Sequence, residues 1–293
     1  MGGVSVAYRN YEISSRCINI PKTYKYYKIY AAIMKKSQEQ DKNYKKVSKN
    51  EARLLEAIRS EGLLTFGVDE IEAVTNWKKT KIHNTLSTLT KKGHLIKIKR
   101  NTYTLENDFF DRTFKVVTDA VKPSYVSFWT ALSYYGFTEQ QINTVQLVST
   151  KQVKELKVKN RNINITTFKP SRFFGYDNSE GFILAEKEKA LIDSLYQLRK
   201  CGGFEEYIKC LKNGYEGLDK EKYTDYLIRF DNRSLISRTG FILEKLNIAE
   251  EKILENLEEH RSKSYVLLDP NGSKAQEHDG RWNVKVNREV QRR

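Results

Sequence analysis

The chain has 293 residues, enough for two ordinary domains that each bury a core without disulfides or metals. Its 39% hydrophobic and 30% charged residues exclude the disordered class, and no apolar run approaches the roughly 20 residues needed to cross a bilayer. A formal net charge of +15 favours a polyanionic partner, because cations that neutralise phosphates release condensed counterions.

The charge is uneven. Residues 1–47 hold 10 basic and 3 acidic side chains and residues 48–105 hold 11 and 6, whereas the remaining 188 residues hold 31 and 28. Nucleic acid is therefore expected on the N-terminal third. Cys17, Cys201 and Cys210 make an odd count without the close pair spacing of zinc sites, so idle thiols in a reducing cytosol are expected, with no metal and no cofactor. The start of the chain lacks the apolar core of a secretory signal, which points to the cytoplasm and away from a membrane.

Taken in order, residues 1–47 read as a basic, tyrosine-rich arm, with a short helix around Tyr26 to Met34. Lys22, Tyr24, Lys25, Tyr26, Tyr27 and Lys28 suit a phosphate backbone, although such leaders are commonly only solvated charge. Residues 48–106 read as a winged helix-turn-helix. Leu54, Leu55 and Ile58 share a face of a first helix that Ser48 caps and Gly62 ends. A brief second helix runs over Val68 to Val74, with Ile71 and Val74 inward, and Thr75 and Asn76 make the turn. The third helix, Trp77 to Lys92, buries Ile82, Leu86 and Leu89 at helical spacing and stops at Gly93. Leu95 to Leu105 reads as two strands around a basic tip.

The polar face of the third helix carries the candidate DNA-reading residues, because an α-helix fits the major groove, where each base pair shows its own donors, acceptors and methyl groups. Thr80, Lys81, His83, Asn84, Ser87 and Lys91 lie on that face, with Lys78 and Lys79 at its start. Asn84 suits adenine, and Lys79 or Lys81 suits guanine. Lys97, Lys99, Arg100 and Asn101 form the wing, whose cations suit phosphates or the minor groove. The plain alternatives are solvated lysines and a winged helix used for protein docking.

Residues 107–293 read as a nearly neutral mixed α/β domain, which makes the whole chain α+β. Strands are expected near Tyr125 to Ser127, Val145 to Ser149 and Asn162 to Lys169, and a helix from Trp129 to Tyr135. Helices follow over Glu186 to Arg199, Phe204 to Leu211, Lys220 to Phe230, Ser234 to Leu246 and Glu250 to Glu259. Closing strands fall at Tyr265 to Leu268 and Trp282 to Val286. Glu186, Glu188 and Asp193 read as helix-dipole partners and surface charge.

Several stretches together resemble the AbiEi-type antitoxin family. Lys91 to Leu105 is similar to that family's end of recognition helix and wing, except that Asn101 stands where a glycine is common. Pro123 to Ser127 with Ala131 to Gly136, then Phe168 to Tyr176 with Ala185 to Asp193, resemble its second domain in order and spacing. Arg238 to Phe241, Leu267 to Pro270 and Arg281 to Asn287 extend the likeness across residues 48–287. The resemblance implies a transcriptional regulator that binds repeats upstream of its own operon as double-stranded DNA. It also implies an antitoxin of a type IV toxin-antitoxin, abortive-infection pair, which counteracts a nucleotidyltransferase-like toxin without a stable complex and has no catalytic centre.

Two other readings stay open. One is a stand-alone winged-helix transcription factor whose second domain dimerises or senses a ligand. The other is a nucleic-acid-processing enzyme, for which Glu250 and Lys252 have nuclease-like spacing, but no Gly-rich phosphate loop or paired histidine ligands accompany them. In the second domain Arg238 is the candidate for antitoxin function. Its structural alternative is an ion pair beside the apolar face of Leu235, Ile236, Phe241, Ile242 and Leu246.

Overall fold

The computed structural model describes residues 47–140, 142–178, 181–275 and 277–291. The arm expected over residues 1–47, and Cys17 with it, lies outside the described residues apart from Val47. The described chain is mixed α/β, with eleven α-helices and three sheets.

Three helices and a hairpin come first: α1 (Lys49–Ser60), α2 (Val68–Thr75), α3 (Lys79–Lys92), β1 (Leu95–Lys99) and β2 (Thr102–Leu105). Ser48 and Glu51 form a reciprocal capping box on α1, which satisfies two otherwise orphaned backbone donors. Asn76 and Gly93 end α2 and α3 in the left-handed region, where residues with little or no Cβ hindrance sit most easily. The third helix starts two residues later than its pattern suggested, because Trp77 is folded inward and only 8% exposed. Leu54, Ile58, Ile71, Ile82, Leu86, Leu89 and Leu95 then close one small core.

β1 alternates between two environments. Leu95 belongs to the small core, while Ile96 and Ile98, on the opposite face, join the larger core of the remaining chain. On the other edge, Phe66 and Tyr103 exchange both backbone hydrogen bonds, at 3.0 and 2.8 Å, and the Thr104 hydroxyl donates to the Leu64 carbonyl at 2.8 Å. The hairpin is thereby tied to the α1–α2 link.

Two helices that the sequence pattern did not suggest follow at once, α4 (Glu106–Asp111) and α5 (Thr113–Ala120). Next come β3 (Ser124–Val126), α6 (Phe128–Tyr134), β4 (Thr144–Ser149), β5 (Leu156–Val158), β6 (Arg161–Thr167), β7 (Tyr176–Asp177) and β8 (Leu184–Ala185). The strands form a six-stranded mixed sheet in the order β5-β6-β4-β3-β8-β7. β4 runs parallel to β6 and antiparallel to β3, and it is buried along nearly its whole length.

α7 (Lys187–Tyr196), α8 (Phe204–Gly214), α9 (Lys220–Arg229), α10 (Arg233–Leu246) and α11 (Glu251–Glu259) complete the helices. A small sheet, β10 (Glu277–Asp279), β11 (Val284–Val286) and β9 (Val266–Leu267), closes the chain. Arg281 fastens this end to the helices through Glu244, Glu251 and Glu258 at 2.6, 2.6 and 2.8 Å. Trp282 is fully buried against Gly240 of α10, and its indole donates to Glu244 at 2.9 Å.

The reading of Glu188 and Asp193 as surface charge is corrected. Glu188 is 5% exposed and accepts from the Asp219 backbone at 2.9 Å, while Asp193 is fully buried and paired with Lys189 one turn earlier. Among the described residues Arg238 has no ion-pair partner. Its Nε instead donates to the Leu267 carbonyl at 2.8 Å and so holds β9 against α10.

Candidate nucleic-acid interface

The outer face of α3 carries Thr80, Lys81, His83, Asn84, Ser87 and Lys91, all exposed. No carboxylate occurs anywhere in the helix. The side chains of Thr80, His83, Asn84 and Ser87 make no hydrogen bond to any described residue, so their donors and acceptors face water. Thr85, Thr88 and Thr90 differ, since their hydroxyls bond back to the carbonyls of Lys81, Asn84 and Leu86 at 2.7–2.9 Å.

The cations at the start of α3 are partly committed. Lys79 reaches Asp69 at 2.8 Å and Glu72 at 3.4 Å across the turn from α2. That contact raises the Lys79 ammonium and lowers the Asp69 carboxyl from their ordinary values. Lys81 lies 3.7 Å from the Trp77 ring centroid, a cation–π contact that directs its stem. Lys78 stands exposed at the N-cap position. At the far end Lys92 turns inward to Glu51, at 2.6 Å, and locks α3 to α1.

The hairpin places Lys97 and Arg100 in solvent and Lys99 half-buried, none with an ion-pair partner among the described residues. The Lys97 ammonium lies 5.9 Å from the centroid of Tyr103, its register partner. Asn101 has a structural job: with φ at 53°, its side-chain oxygen accepts the Val68 N–H at 3.0 Å, at the first turn of α2. Gly67 must stay without a side chain for this approach, because a Cβ there would meet the Asn101 carbonyl oxygen at 2.5 Å. All twelve residues expected to face nucleic acid thus lie on α3, at its start, or on the hairpin, and Lys79 and Asn101 also bind the fold together.

A second polar cluster, absent from the expectations, sits under the six-stranded sheet. Lys189 and Asp193 of α7 pair with each other, and Asp193 also accepts from Ser127 at 2.7 Å and Tyr125 at 3.1 Å. Lys189 donates to the Tyr125 hydroxyl at 2.9 Å and is surrounded by the rings of Phe168, Phe174 and Phe230 at 5.1–5.2 Å. Burial pushes the Lys189 ammonium down and the Asp193 carboxyl up, each opposed by its partner. With all four groups at 0% exposure, the cluster offers no atom to an outside substrate. Glu250 and Lys252 lie exposed at the start of α11.

No family model matches the chain, and no curated protein matches it. Among solved structures the chain is similar to the RV2827C protein from Mycobacterium tuberculosis, with a TM-score of 0.59 and 9% identity over 82% of this chain and 92% of that one. At that identity the likeness is one of fold alone.

Proposed function

We propose that the chain is a cytoplasmic, DNA-binding transcriptional autoregulator and the antitoxin of a type IV toxin-antitoxin pair. In this reading α1 to α3 and the hairpin are a winged helix-turn-helix, α3 enters the major groove and the hairpin cations meet the backbone. The observation that carries it is the outer face of α3, where exposed hydrogen-bonding side chains without partners among the described residues stand on a helix lacking any carboxylate. Such a face matches the groove's size and its donor and acceptor pattern. The antitoxin half rests on the resemblance of residues 48–287 to AbiEi-type proteins, with the toxin a nucleotidyltransferase-like enzyme.

The test has two arms. Fluorescence anisotropy compares a duplex from upstream of the chain's own gene with a scrambled duplex, and tighter binding to the first is expected. Co-expression with the adjacent gene, scored for growth and for repression of the shared promoter, examines the second half. Equal affinity for both duplexes removes the regulator reading. Specific binding without rescue of growth leaves a stand-alone transcription factor.

A further inference from the structure

Apart from the helices and hairpin, a cleft of about 520 Å³ opens where α6, β4, β6 and the turn after α7 meet. Its volume lies within the roughly 300–1,000 Å³ of small-molecule sites. Two cations, Arg199 and Lys200, line it, and no carboxylate does. Arg199 is exposed and makes no ion pair among the described residues.

The floor is a wired polar network. Gln146 and Asn164 are register partners on the parallel strands β4 and β6, so their side chains share a face. The Gln146 amide donates to the Lys200 carbonyl at 2.7 Å, and its oxygen accepts from the Thr130 backbone at 3.3 Å. Asn164 is held by Glu155 through its amide nitrogen and accepts from the Lys200 ammonium through its oxygen. Lys200 is therefore fixed at both backbone and side chain, and its one acceptor among the described residues leaves two of the three ammonium donors unused there.

The wall supplies an aromatic group. Trp129 lines the cleft, and its indole nitrogen is buried without an acceptor among the described residues. Gly202, with φ at 79°, packs so closely that a Cβ there would lie 2.8 Å from the Trp129 ring. Asn143 and Gln197 line the same opening, and their carboxamides make no hydrogen bond to the described residues. A tethered Lys200 and an exposed Arg199, in a lining that holds no carboxylate although Glu155 reaches the lining residue Asn164, favour an anion, and an indole beside free carboxamides suits a planar ring with a donor and acceptor edge.

We propose that this cleft binds a free mononucleotide, its phosphate on Lys200 and Arg199 and its base beside Trp129, with Asn143 and Gln197 reading the base edge. Inorganic phosphate alone would leave the indole wall and most of the volume unused. The ligand is an effector class that the DNA-binding proposal does not include.

The experiment titrates the full chain, without DNA, with AMP, GMP, CMP and UMP, with the matching nucleosides and with inorganic phosphate. Binding is read by calorimetry and by tryptophan fluorescence. At least one mononucleotide is expected to saturate. Its nucleoside, and its binding to the exposed-site variant Arg199→Gln, should each be at least about tenfold weaker, the loss of one charge-assisted contact. The fluorescence change should vanish in Trp129→Phe while the heat remains, since Trp77 and Trp282 are buried elsewhere. Three results overturn the proposal: no saturation by any of the four nucleotides up to millimolar concentration, equal affinity for inorganic phosphate, or unchanged affinity in a folded Arg199→Gln. Because DNA is absent throughout, none of these bears on operator binding.

Discussion

The side-chain oxygen of Asn101 accepts the Val68 N–H, so the hairpin tip caps the helix that precedes α3. The contact spans 33 residues of sequence and joins the hairpin tip to the first turn of α2. Asn101→Gly keeps the left-handed backbone and loses only the hydrogen bond, at a cost of about 0.5–1.5 kcal/mol. Asn101→Ala also strains the backbone and should cost about 1 kcal/mol more. Chemical denaturation of the two variants checks the order, and equal stabilities would show that φ at this position is unimportant.

On α3 the proposed division of labour separates two variants. If Asn84 makes the proposed base-edge contact, Asn84→Ala should reduce preference for operator over random duplex by about 1–3 kcal/mol. If Arg100 meets a phosphate as proposed, Arg100→Ala should weaken both duplexes alike, lowering the slope of log affinity against log salt by about 1. Salt-titrated anisotropy on both duplexes reads each effect. Parallel losses for Asn84→Ala would deny it a reading role.

How much of this was legible depends on the kind of signal. α1 to α3 and the hairpin could be read because apolar spacing and local stop signals agree: Ser48 caps, and Gly62 and Gly93 occupy positive φ. α4 and α5 were missed although Phe109, Val116, Val117 and Ala120 are buried at helical intervals, because Asp111 and Arg112 interrupt the pattern and neither helix has a side-chain cap. The two-residue strands β7 and β8 are too short to show a period. Lys189 and Asp193 were hidden for another reason. Charge is a reliable surface marker unless the partner sits one turn away on a helix buried all round, as α7 is. The capping role of Asn101 needs a contact that no local pattern encodes.

The buried pair makes a thermodynamic prediction. Asp193→Leu leaves the Lys189 ammonium among aromatic rings without its counter-charge and should destabilise the chain by about 3–5 kcal/mol. Lys189→Met leaves Asp193 with its Ser127 and Tyr125 donors and should cost less. The double variant should be more stable than the sum of the two losses implies, by about 1 kcal/mol or more. Strict additivity in urea denaturation would mean that the two charges do not interact.

Glu51 carries a pH dependence. The Lys92 ammonium and the Ser48 backbone hold its carboxyl below the ordinary 4.5. A carboxyl lowered by folding adds stability that is fully present above its unfolded value and is lost as pH falls through the folded one. The wild type should thus exceed Glu51→Gln by about 1–3 kcal/mol at pH 7, and the gap should shrink as pH falls below 4.5. Thermal melts of both proteins from pH 7 to pH 3 test this, and a gap that stays constant would place the carboxylate outside the Lys92 contact.

Gly240 lies inside α10, where replacing glycine by alanine ordinarily stabilises a helix by about 1 kcal/mol. Here the sign should reverse. A Cβ at this position would stand 2.0–2.3 Å from three atoms of the Trp282 ring, and that ring is fully buried and anchored through Glu244. A shift of the indole would disturb that hydrogen bond, and the Arg281 ion pairs share the same Glu244. Gly240→Ala is therefore expected to lose about 1–3 kcal/mol by overpacking. Adding Trp282→Leu to the variant should make the alanine less damaging than it is beside tryptophan, since the atoms it meets are gone. A Gly240→Ala protein that melts above the wild type would show that the close approach of α10 to Trp282 is not what keeps a glycine there.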